Sequence, residues 1–169
     1  MNNLKLKAPE PEDIDFLFDL ENQESHWLVS NNAAPYSKFQ IKLFVQEQQT
    51  LTQNAQCRWM IADDQRAYGC LDLFEYSPFH SHVQLGIIID EKHRNQGIGK
   101  KTLELFDDRN RDFLHIKNVI AHVSSENPAS LNLFQSNGYK EVGKLIDYKK
   151  ASNESYSDLI IFQKQYQFG

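Results

Sequence analysis

The sequence predicts a single α/β domain built on a mixed sheet. The chain has 169 residues, which is enough for one domain with one sizeable core. Segments with the alternating or continuous apolar character of strands are interspersed with segments of helical periodicity. There is no internal repeat, low-complexity tract or linker that would divide the chain. We therefore expect one domain over residues 1–169.

The first third of the chain predicts one strand and two helices. Residues 4–8 alternate between apolar and polar types, as a strand with one buried face does. An apolar stripe at helical spacing begins at Ile14 and predicts the first helix. Residues 21–37 are rich in polar and turn-forming types and indicate a loop with aromatic anchors. A second helix is predicted over about residues 38–51.

The middle of the chain changes to strands. Three are predicted, over residues 58–62, 68–76 and 83–90, with a turn near Pro78 between the second and the third. Residues 85–89 are almost continuously apolar, which means that both faces of the third strand are buried. The third strand is therefore expected in the middle of the sheet.

The last part of the chain returns to alternating helices and strands. The predicted elements are, in order, a helix to about residue 115, a strand over 119–123, a helix, and two strands near 140–148 and 156–164. Asn127 and Pro128 open the second of these helices as N-cap and first-turn proline. Gly138 ends that helix as the left-handed residue after it.

Composition narrows the class of protein. The formal net charge of −5 argues against nucleic acid, which needs a basic face, and slightly favours a cationic small substrate. Cys57 and Cys70 lie in predicted strands, so reduced thiols are expected rather than a disulfide scaffold. The N-terminus lacks a signal-peptide pattern, and no window approaches a run of about 18 apolar residues. We expect a cytoplasmic protein with no nucleic-acid or membrane partner.

The most informative segment is the loop Gly97-Ile98-Gly99, which joins the central strand to a helix. Small residues allow close approach of the backbone to a ligand, and a helix N-terminus offers unpaired N–H groups to a phosphate or pyrophosphate. A P-loop is excluded because Arg94 and Lys101 stand at two of its required positions, and Thr102 excludes a dinucleotide fingerprint. Two glycines that merely shape the turn remain the alternative.

Several motifs in order resemble the GNAT superfamily of N-acetyltransferases. Arg94-x-x-Gly97-x-Gly99 resembles the superfamily's pyrophosphate loop, and residues 127–134 with 137–139 resemble its second motif. Residues 4–13 and 156–160 are similar to the branch that holds ribosomal-protein and spermidine or polyamine N-acetyltransferases. The resemblance implies a mostly antiparallel mixed sheet with helices on both faces. It also implies acetyl-CoA as co-substrate, with no metal.

The resemblance further implies which residues hold the coenzyme. The backbone of the central strand would bind pantetheine, and one N–H of that strand would face the thioester carbonyl. The loop amides would hold the pyrophosphate, and Arg94 and Lys100 would add positive charge beside it. Asn127 is also explained as a helix cap, and at Phe134 many relatives carry a tyrosine. The implied coenzyme residues are Ile87, Ile88, Ile89, Arg94, Asn95, Gln96, Gly97, Ile98, Gly99, Lys100, Asn127, Ser130 and Phe134.

The acceptor amine must lose a proton before or during attack, so a general base is sought. Asp72 is the candidate, because it interrupts an apolar strand and is expected opposite Gln84 on the next strand. Many relatives carry a carboxylate where this chain has Gln84. The alternative is that Asp72 orders water or a backbone group, or binds a cationic substrate. Phe134 has no proton to give, and we assign no general acid.

Other residues suggest weaker hypotheses. His80 and His82 can share a face of a hairpin, but no third metal ligand is visible, and exposed turn histidines are commoner. Six residues are candidates for lining an acceptor pocket. The aromatic ones are also explained as packing anchors, and the acidic ones as ordinary solvated carboxylates. They are Trp27, Tyr36, Tyr76, Glu21, Glu24 and Glu75. The acceptor is a polyamine, another small amine or a protein N-terminus. The rivals are a non-catalytic acyl-CoA-binding domain and a domain for another nucleotide. The oligomeric state is open and includes a homodimer.

Overall fold

The fold is described from a computed structural model for residues 3–27, 34–47, 50–150 and 155–168. The strands are β1 (Lys5–Lys7), β2 (Cys57–Ala62), β3 (Ala67–Ser77), β4 (His82–Ile89), β5 (Asn118–Ser124), β6 (Lys140–Lys150) and β7 (Tyr156–Gln165). The α-helices are α1 (Ile14–Glu21), α2 (Glu24–Trp27), α3 (Lys38–Gln46), α4 (Leu51–Asn54), α5 (Ile98–Arg109) and α6 (Pro128–Ser136).

The seven strands form one sheet in the order β1-β2-β3-β4-β5-β7-β6. Every neighbouring pair is antiparallel except β4 and β5, which are parallel. The prediction of a mixed, mostly antiparallel sheet is confirmed. The predicted central strand, β4, is the fourth of the seven, as its apolar composition indicated.

Helices cover both faces of the sheet, as predicted. On one face, Leu103 and Phe106 of α5 pack with the inward side chains of the strands, among them Leu71 and Leu85. On the other face, Leu17 of α1 and neighbouring residues of α3 pack against a smaller cluster that contains Cys70. Cys70 and Leu71 are adjacent in β3 and are buried on opposite faces of the sheet, because the side chains of successive strand residues point to alternate faces.

The parallel pair β4 and β5 is joined over a short length only. The register pairs His82, Val83 and Gln84 with Asn118, Val119 and Ile120, and it stops there. Beyond Gln84, β4 continues to Ile89 and remains paired with β3 on its other edge. The sheet therefore splits, and among the described residues no strand pairs with the β5-facing edge of β4 beyond Gln84. The polar backbone groups along such an edge need other partners.

The register of the β3–β4 hairpin corrects one prediction. Asp72 lies opposite Gly86, and Gln84 lies opposite Phe74, so Asp72 and Gln84 are not cross-strand partners. The prediction centred the turn on Pro78, whereas the last pair before the turn is Ser77 with His82. The irregularity of β3 between Phe74 and Ser77 then shifts the pairing back by one residue, so that Asp72 lies opposite Gly86 rather than Ile87.

Two predicted helices have different bounds in the structure. The second helix, predicted over 38–51, is divided into α3 and α4, and residues 48–49 lie outside the described residues. The helix predicted to reach about residue 115 is α-helical to Arg109 and continues as one π-helical turn to Leu114. The loop predicted over 21–37 contains the short helix α2, and residues 28–33 lie outside the described residues.

Both cysteines are buried and free of disulfides, as expected. Burial raises the pKa of the Cys57 thiol to about 12, and the nearby carboxylate of Asp72 adds to this shift. A thiol with so high a pKa is a poor nucleophile at neutral pH. In the part of the chain that the structure describes, no helix is long and apolar enough to cross a membrane.

Candidate active site

A cavity of about 430 Å³ opens where β4 ends, between the first turn of α5 and one face of α6. The described residues that line it are Ser25, Ile87, Ile88, Ile89, His93, Arg94, Asn95, Gly97, Ile98, Gly99, Lys100, Asn127, Ala129, Ser130, Asn132, Leu133 and Ser136. One wall is thus the unpaired edge of β4, and another is a helix N-terminus. A cavity with both features can hold an extended polar chain that ends in an anion.

The loop before α5 directs backbone N–H groups into this cavity. Asn95 and Gly97 adopt left-handed conformations, with φ of 59° and 79°. The first backbone hydrogen bond of α5 runs from the Lys101 N–H to the Gly97 carbonyl, at 3.0 Å. The N–H groups of Ile98 and Gly99 precede that bond and have no acceptor within the helix. Together with the positive end of the helix dipole, these N–H groups can bind a phosphate.

The two positions of the loop favour glycine for different structural reasons. A Cβ on Gly97 would have no heavy atom within 4 Å, so the space beside this residue belongs to the cavity. A Cβ on Gly99 would lie 3.1 Å from Cδ2 of Leu133 on α6. Gly99 therefore allows α5 and α6 to approach each other closely. The alternative that both glycines only shape the turn does not account for the open space at Gly97.

Arg94 supplies a positive charge beside the loop. Its Nε donates a hydrogen bond of 3.1 Å to the carbonyl of Ile89, the last residue of β4. Its Nη1 lies 3.7 Å from a carboxylate oxygen of Glu91. These contacts hold the guanidinium at the mouth of the cavity, next to the first turn of α5. No sequence pattern indicated that Arg94 also links the loop to the end of the strand.

Asn127 caps α6 and also lines the cavity. Its side-chain oxygen accepts a hydrogen bond of 3.0 Å from the Ser130 N–H. The cap that the sequence predicted is confirmed. Both residues face the cavity beside the apolar side chains of Ala129 and Leu133, so this wall offers polar groups near the helix start and apolar surface further along.

Two of the predicted coenzyme residues are not in the cavity wall. The Gln96 side chain turns away and donates to the Lys92 carbonyl at 3.1 Å. Phe134 is buried in the core, with its ring centroid 5.0 Å from that of Tyr139. Leu133 takes the place in the wall that the family motif suggested for Phe134, because one residue along a helix is a rotation of about 100°.

Sequence reasoning missed six residues of the wall. They are Ser25, His93, Ala129, Asn132, Leu133 and Ser136. The four from α6 follow the helical spacing of three and four residues, and that spacing was a signal that could have found them. Ser25 comes from the distant α2, where its hydroxyl hydrogen-bonds to Glu91, and no local pattern predicts such a contact.

Asp72, the candidate base, is held by an arginine. Arg58 Nε and Nη2 donate to its two carboxylate oxygens at 2.6 and 2.8 Å. Arg58 Nη1 also donates to Glu21 of α1. Burial disfavours the charge on Arg58, but the two carboxylates outweigh burial and raise the guanidinium pKa above its ordinary value. The bidentate geometry of the Arg58–Asp72 pair, which joins β2 to β3, is the strongest form of such a pair. The contact of Arg58 with Glu21 joins α1 to the sheet.

These contacts lead to a prediction for Asp72→Asn. We expect the free energy of unfolding to fall by about 2 kcal/mol, because Arg58 keeps only one of its two carboxylate partners. We also expect the pH dependence of turnover to keep its shape, because both oxygens of Asp72 are already engaged. Thermal unfolding and a pH–rate profile measure the two effects.

Asp107→Asn is the matched control, because Asp107 forms a comparable ion pair of 2.5 Å with Lys164 outside the cavity wall. A loss of turnover in Asp72→Asn that is strongest at low pH, and absent in the control, would restore Asp72 as the base.

The residues that the sequence suggested less strongly for an acceptor pocket or a metal site lie at packing or surface positions. Tyr36 packs against the cluster between α1 and α3, and Tyr76 against the larger core, so both are packing anchors. The rings of His80 and His82 stack at a centroid distance of 6.2 Å. Glu75 accepts a hydrogen bond from Gln84, Glu21 is bound to Arg58, and Glu24 is exposed. The side chain of Trp27 lies outside the described residues.

A split mixed sheet with a pyrophosphate-type loop at the end of its central strand is the architecture of acetyl-CoA-dependent N-acetyltransferases. Comparison with known families agrees, since the acetyltransferase (GNAT) domain model matches residues 3–140. The chain belongs to this family. It is an N-acetyltransferase that transfers the acetyl group of acetyl-CoA to a primary amine.

Two comparisons extend over almost the whole chain. The curated spermidine N(1)-acetyltransferase of Vibrio cholerae is 27% identical over 172 residues, which cover 98% of this chain and 96% of the relative. A crystal structure of spermidine N-acetyltransferase from Vibrio cholerae, in complex with CoA and spermine, has a TM-score of 0.85 at 24% identity, with 98% and 96% of the two chains covered. The second likeness concerns the fold alone.

A dodecameric structure of the Vibrio cholerae enzyme in an intermediate state has a TM-score of 0.80 at 25% identity. It covers 98% of this chain and 95% of that one.

Proposed function

We propose that the protein is a cytoplasmic polyamine N-acetyltransferase, in which the amine attacks acetyl-CoA directly within a ternary complex. The observation that carries this proposal is the split between β4 and β5, with the cavity beside it. The split lets coenzyme and acceptor meet from opposite faces of the sheet. The acceptor class is supported by the full-length similarity to a spermidine N(1)-acetyltransferase.

The coenzyme would lie along the cavity. Its pantetheine arm would pair with the free edge of Ile87, Ile88 and Ile89, as an added strand does. Its pyrophosphate would bind the amides at the start of α5, with Arg94 and Lys100 beside it. The open space at Gly97 is where the phosphates would approach the backbone most closely. Asn127 and Ser130 would contact the arm from the α6 side.

The thioester would then lie near the point where β4 and β5 part. A backbone N–H of β4 aimed at the carbonyl oxygen would stabilise the negative charge that develops there during attack. The nitrogen–carbon bond forms and the carbon–sulfur bond breaks. The nitrogen loses one proton, and the departing thiolate takes up one proton, so the products are the acetylated amine and the free thiol of CoA. No covalent carrier is required, because a free amine attacks a thioester readily once it is deprotonated and positioned.

The acceptor would approach from the face opposite α5 and α6. Gly86 leaves room on this face at the split, since a Cβ there would meet only Cε1 of Phe74, at 3.6 Å. Glu75 lies on the same side and is exposed, so it can bind the distal ammonium groups of a polyamine. A chain with a net charge of −5 also attracts such a cation at long range.

Free-thiol release from acetyl-CoA tests this proposal. Purified protein would be assayed with spermidine, spermine, single amino acids and N-terminal peptides. We expect kcat/KM for the polyamines to exceed that for the amino acids by at least about 100-fold, because only the polyamines carry further ammonium groups to pair with carboxylates.

Two results would contradict the proposal. Turnover confined to peptides would move the acceptor class to protein N-termini. Coenzyme binding in calorimetry, without thiol release for any amine, would favour an acyl-CoA-binding domain.

A further inference from the structure

One histidine stands at the split on the acceptor face. His122 is in β5, where Ala121 and Val123 point into the core beneath α5 and α6 and His122 points to the opposite face. The last β4–β5 pair is Gln84 with Ile120. One further step of two residues along both strands reaches Gly86 and His122. They are the first residues on the acceptor face beyond the point where the strands part.

The surroundings of His122 leave its ring available. On the β7 side its register partner is the apolar Ile161. The side chain is partly exposed to solvent, and among the described residues none forms a hydrogen bond with its ring. Among the residues that the structure describes, the charged groups close enough to affect the pKa of His122 are Glu75 of β3 and Lys149 of β6. A histidine in this position can receive a proton from a molecule that enters between the strands.

We propose that His122 accepts the proton of the attacking amine and passes it to the departing coenzyme thiolate. This inference rests on the proposed function, since it assumes that an amine reaches the thioester through the split. As the nitrogen–carbon bond forms, the nitrogen becomes far more acidic than a free ammonium, and its proton moves to the imidazole. The carbon–sulfur bond then breaks, and the imidazolium protonates the sulfur.

Other groups are less suited to this task. Both oxygens of Asp72 are engaged by Arg58. Phe134 carries no proton and is buried, and Gln84 does not titrate. His122 lies at the split, and no residue in the described part of the chain hydrogen-bonds to its ring. Partial burial is the main reason that its pKa is lowered, Glu75 opposes this shift, and Lys149 adds to it. The lowered pKa favours the neutral imidazole, which is the form that accepts a proton.

The first test replaces His122 by glutamine, which keeps a polar side chain at an exposed position. We expect kcat with spermidine to fall by about 100-fold, the size of a general-base contribution, with coenzyme affinity unchanged in calorimetry. The decline of kcat/KM at low pH, where the imidazole becomes protonated, should disappear. His80→Gln is the matched control, because His80 is an exposed histidine of the β3–β4 hairpin, and it should keep the rate and the profile.

The second test uses the two charged neighbours, and it reads the pKa of His122 rather than the stability of the fold. The negative charge of Glu75 raises this pKa, so Glu75→Gln should move the low-pH decline to a lower pH. The positive charge of Lys149 lowers it, so Lys149→Met should move the decline to a higher pH. A merely structural histidine would produce neither shift.

The outcomes separate this inference from the proposed function. Suppose that the wild type acetylates spermidine and that His122→Gln keeps both the rate and the low-pH decline. That result would overturn the role of His122 and leave the proposed function standing. If the wild type acetylates a different amine, the polyamine assignment fails and the same profiles are measured with that amine. No turnover of any amine would overturn both.

Discussion

Replacing Gly69 by alanine is expected to lower the free energy of unfolding by about 3 kcal/mol and Tm by about 10 °C. Gly69 lies in β3, opposite Ile89 of β4. An added Cβ would lie 2.0 Å from the carbonyl oxygen of Ile88 and 3.0 Å from the Cα of Ile89. Both are backbone atoms, so no side-chain rotation relieves the clash and the two strands must move apart.

The same substitution should weaken coenzyme binding, because Ile88 and Ile89 form a wall of the cavity. Gly143→Ala is the matched control. Gly143 is also a strand glycine, but its added Cβ would make only an ordinary contact of 3.6 Å with Cδ1 of Ile161. Thermal unfolding and calorimetry with CoA would measure both variants. Equal behaviour of the two would contradict the close approach of β3 and β4 at Gly69.

Replacing Gly97 by valine is expected to weaken the binding of acetyl-CoA by about 1,000-fold, which corresponds to about 4 kcal/mol. Part of this loss comes from the φ of 79° at Gly97, which a β-branched residue adopts only under strain. The rest comes from the side chain, which would occupy the open space beside the loop amides. Calorimetry with acetyl-CoA measures the loss.

Gly138→Val separates these two contributions. Gly138 has a φ of 84°, so it carries the same backbone strain, but it follows α6 and does not line the cavity. We expect Gly138→Val to lower Tm without changing coenzyme affinity. If both variants bound the coenzyme as the wild type does, the phosphate site would not be at Gly97.

Much of the fold was predictable from local patterns. The alternation in the strands, the apolar run of β4, and the Asn127 and Gly138 signals at the ends of α6 each depend on neighbours within a few residues. The glycine loop before α5 was predictable for the same reason, since a left-handed glycine before a helix is a property of the local backbone. Eleven of the thirteen predicted coenzyme residues line the cavity, and Gln96 and Phe134 do not.

The errors arose where a small local change has a distant effect. The four-residue turn after Ser77 and the irregularity of β3 moved Asp72 from its predicted partner, Gln84, to Gly86. Strand register depends on turn length and bulges, and the apolar pattern is unchanged when it shifts by two residues. Phe134 was misplaced because adjacent helical residues point in different directions, and only the packed core shows which one is buried.

Contiguous residues were sufficient to predict the class of fold, the central strand, the glycine loop before α5 and the family. Three spatial relations are visible only in the folded chain. Arg58 binds both carboxylate oxygens of Asp72, Ser25 reaches the cavity, and His122 lies at the split. These relations join residues that are 14 to 66 positions apart in the chain or lie on separate strands. Such contacts depend on strand order and register. Many different sequences are compatible with the same strand order and register, so local patterns do not reveal these contacts.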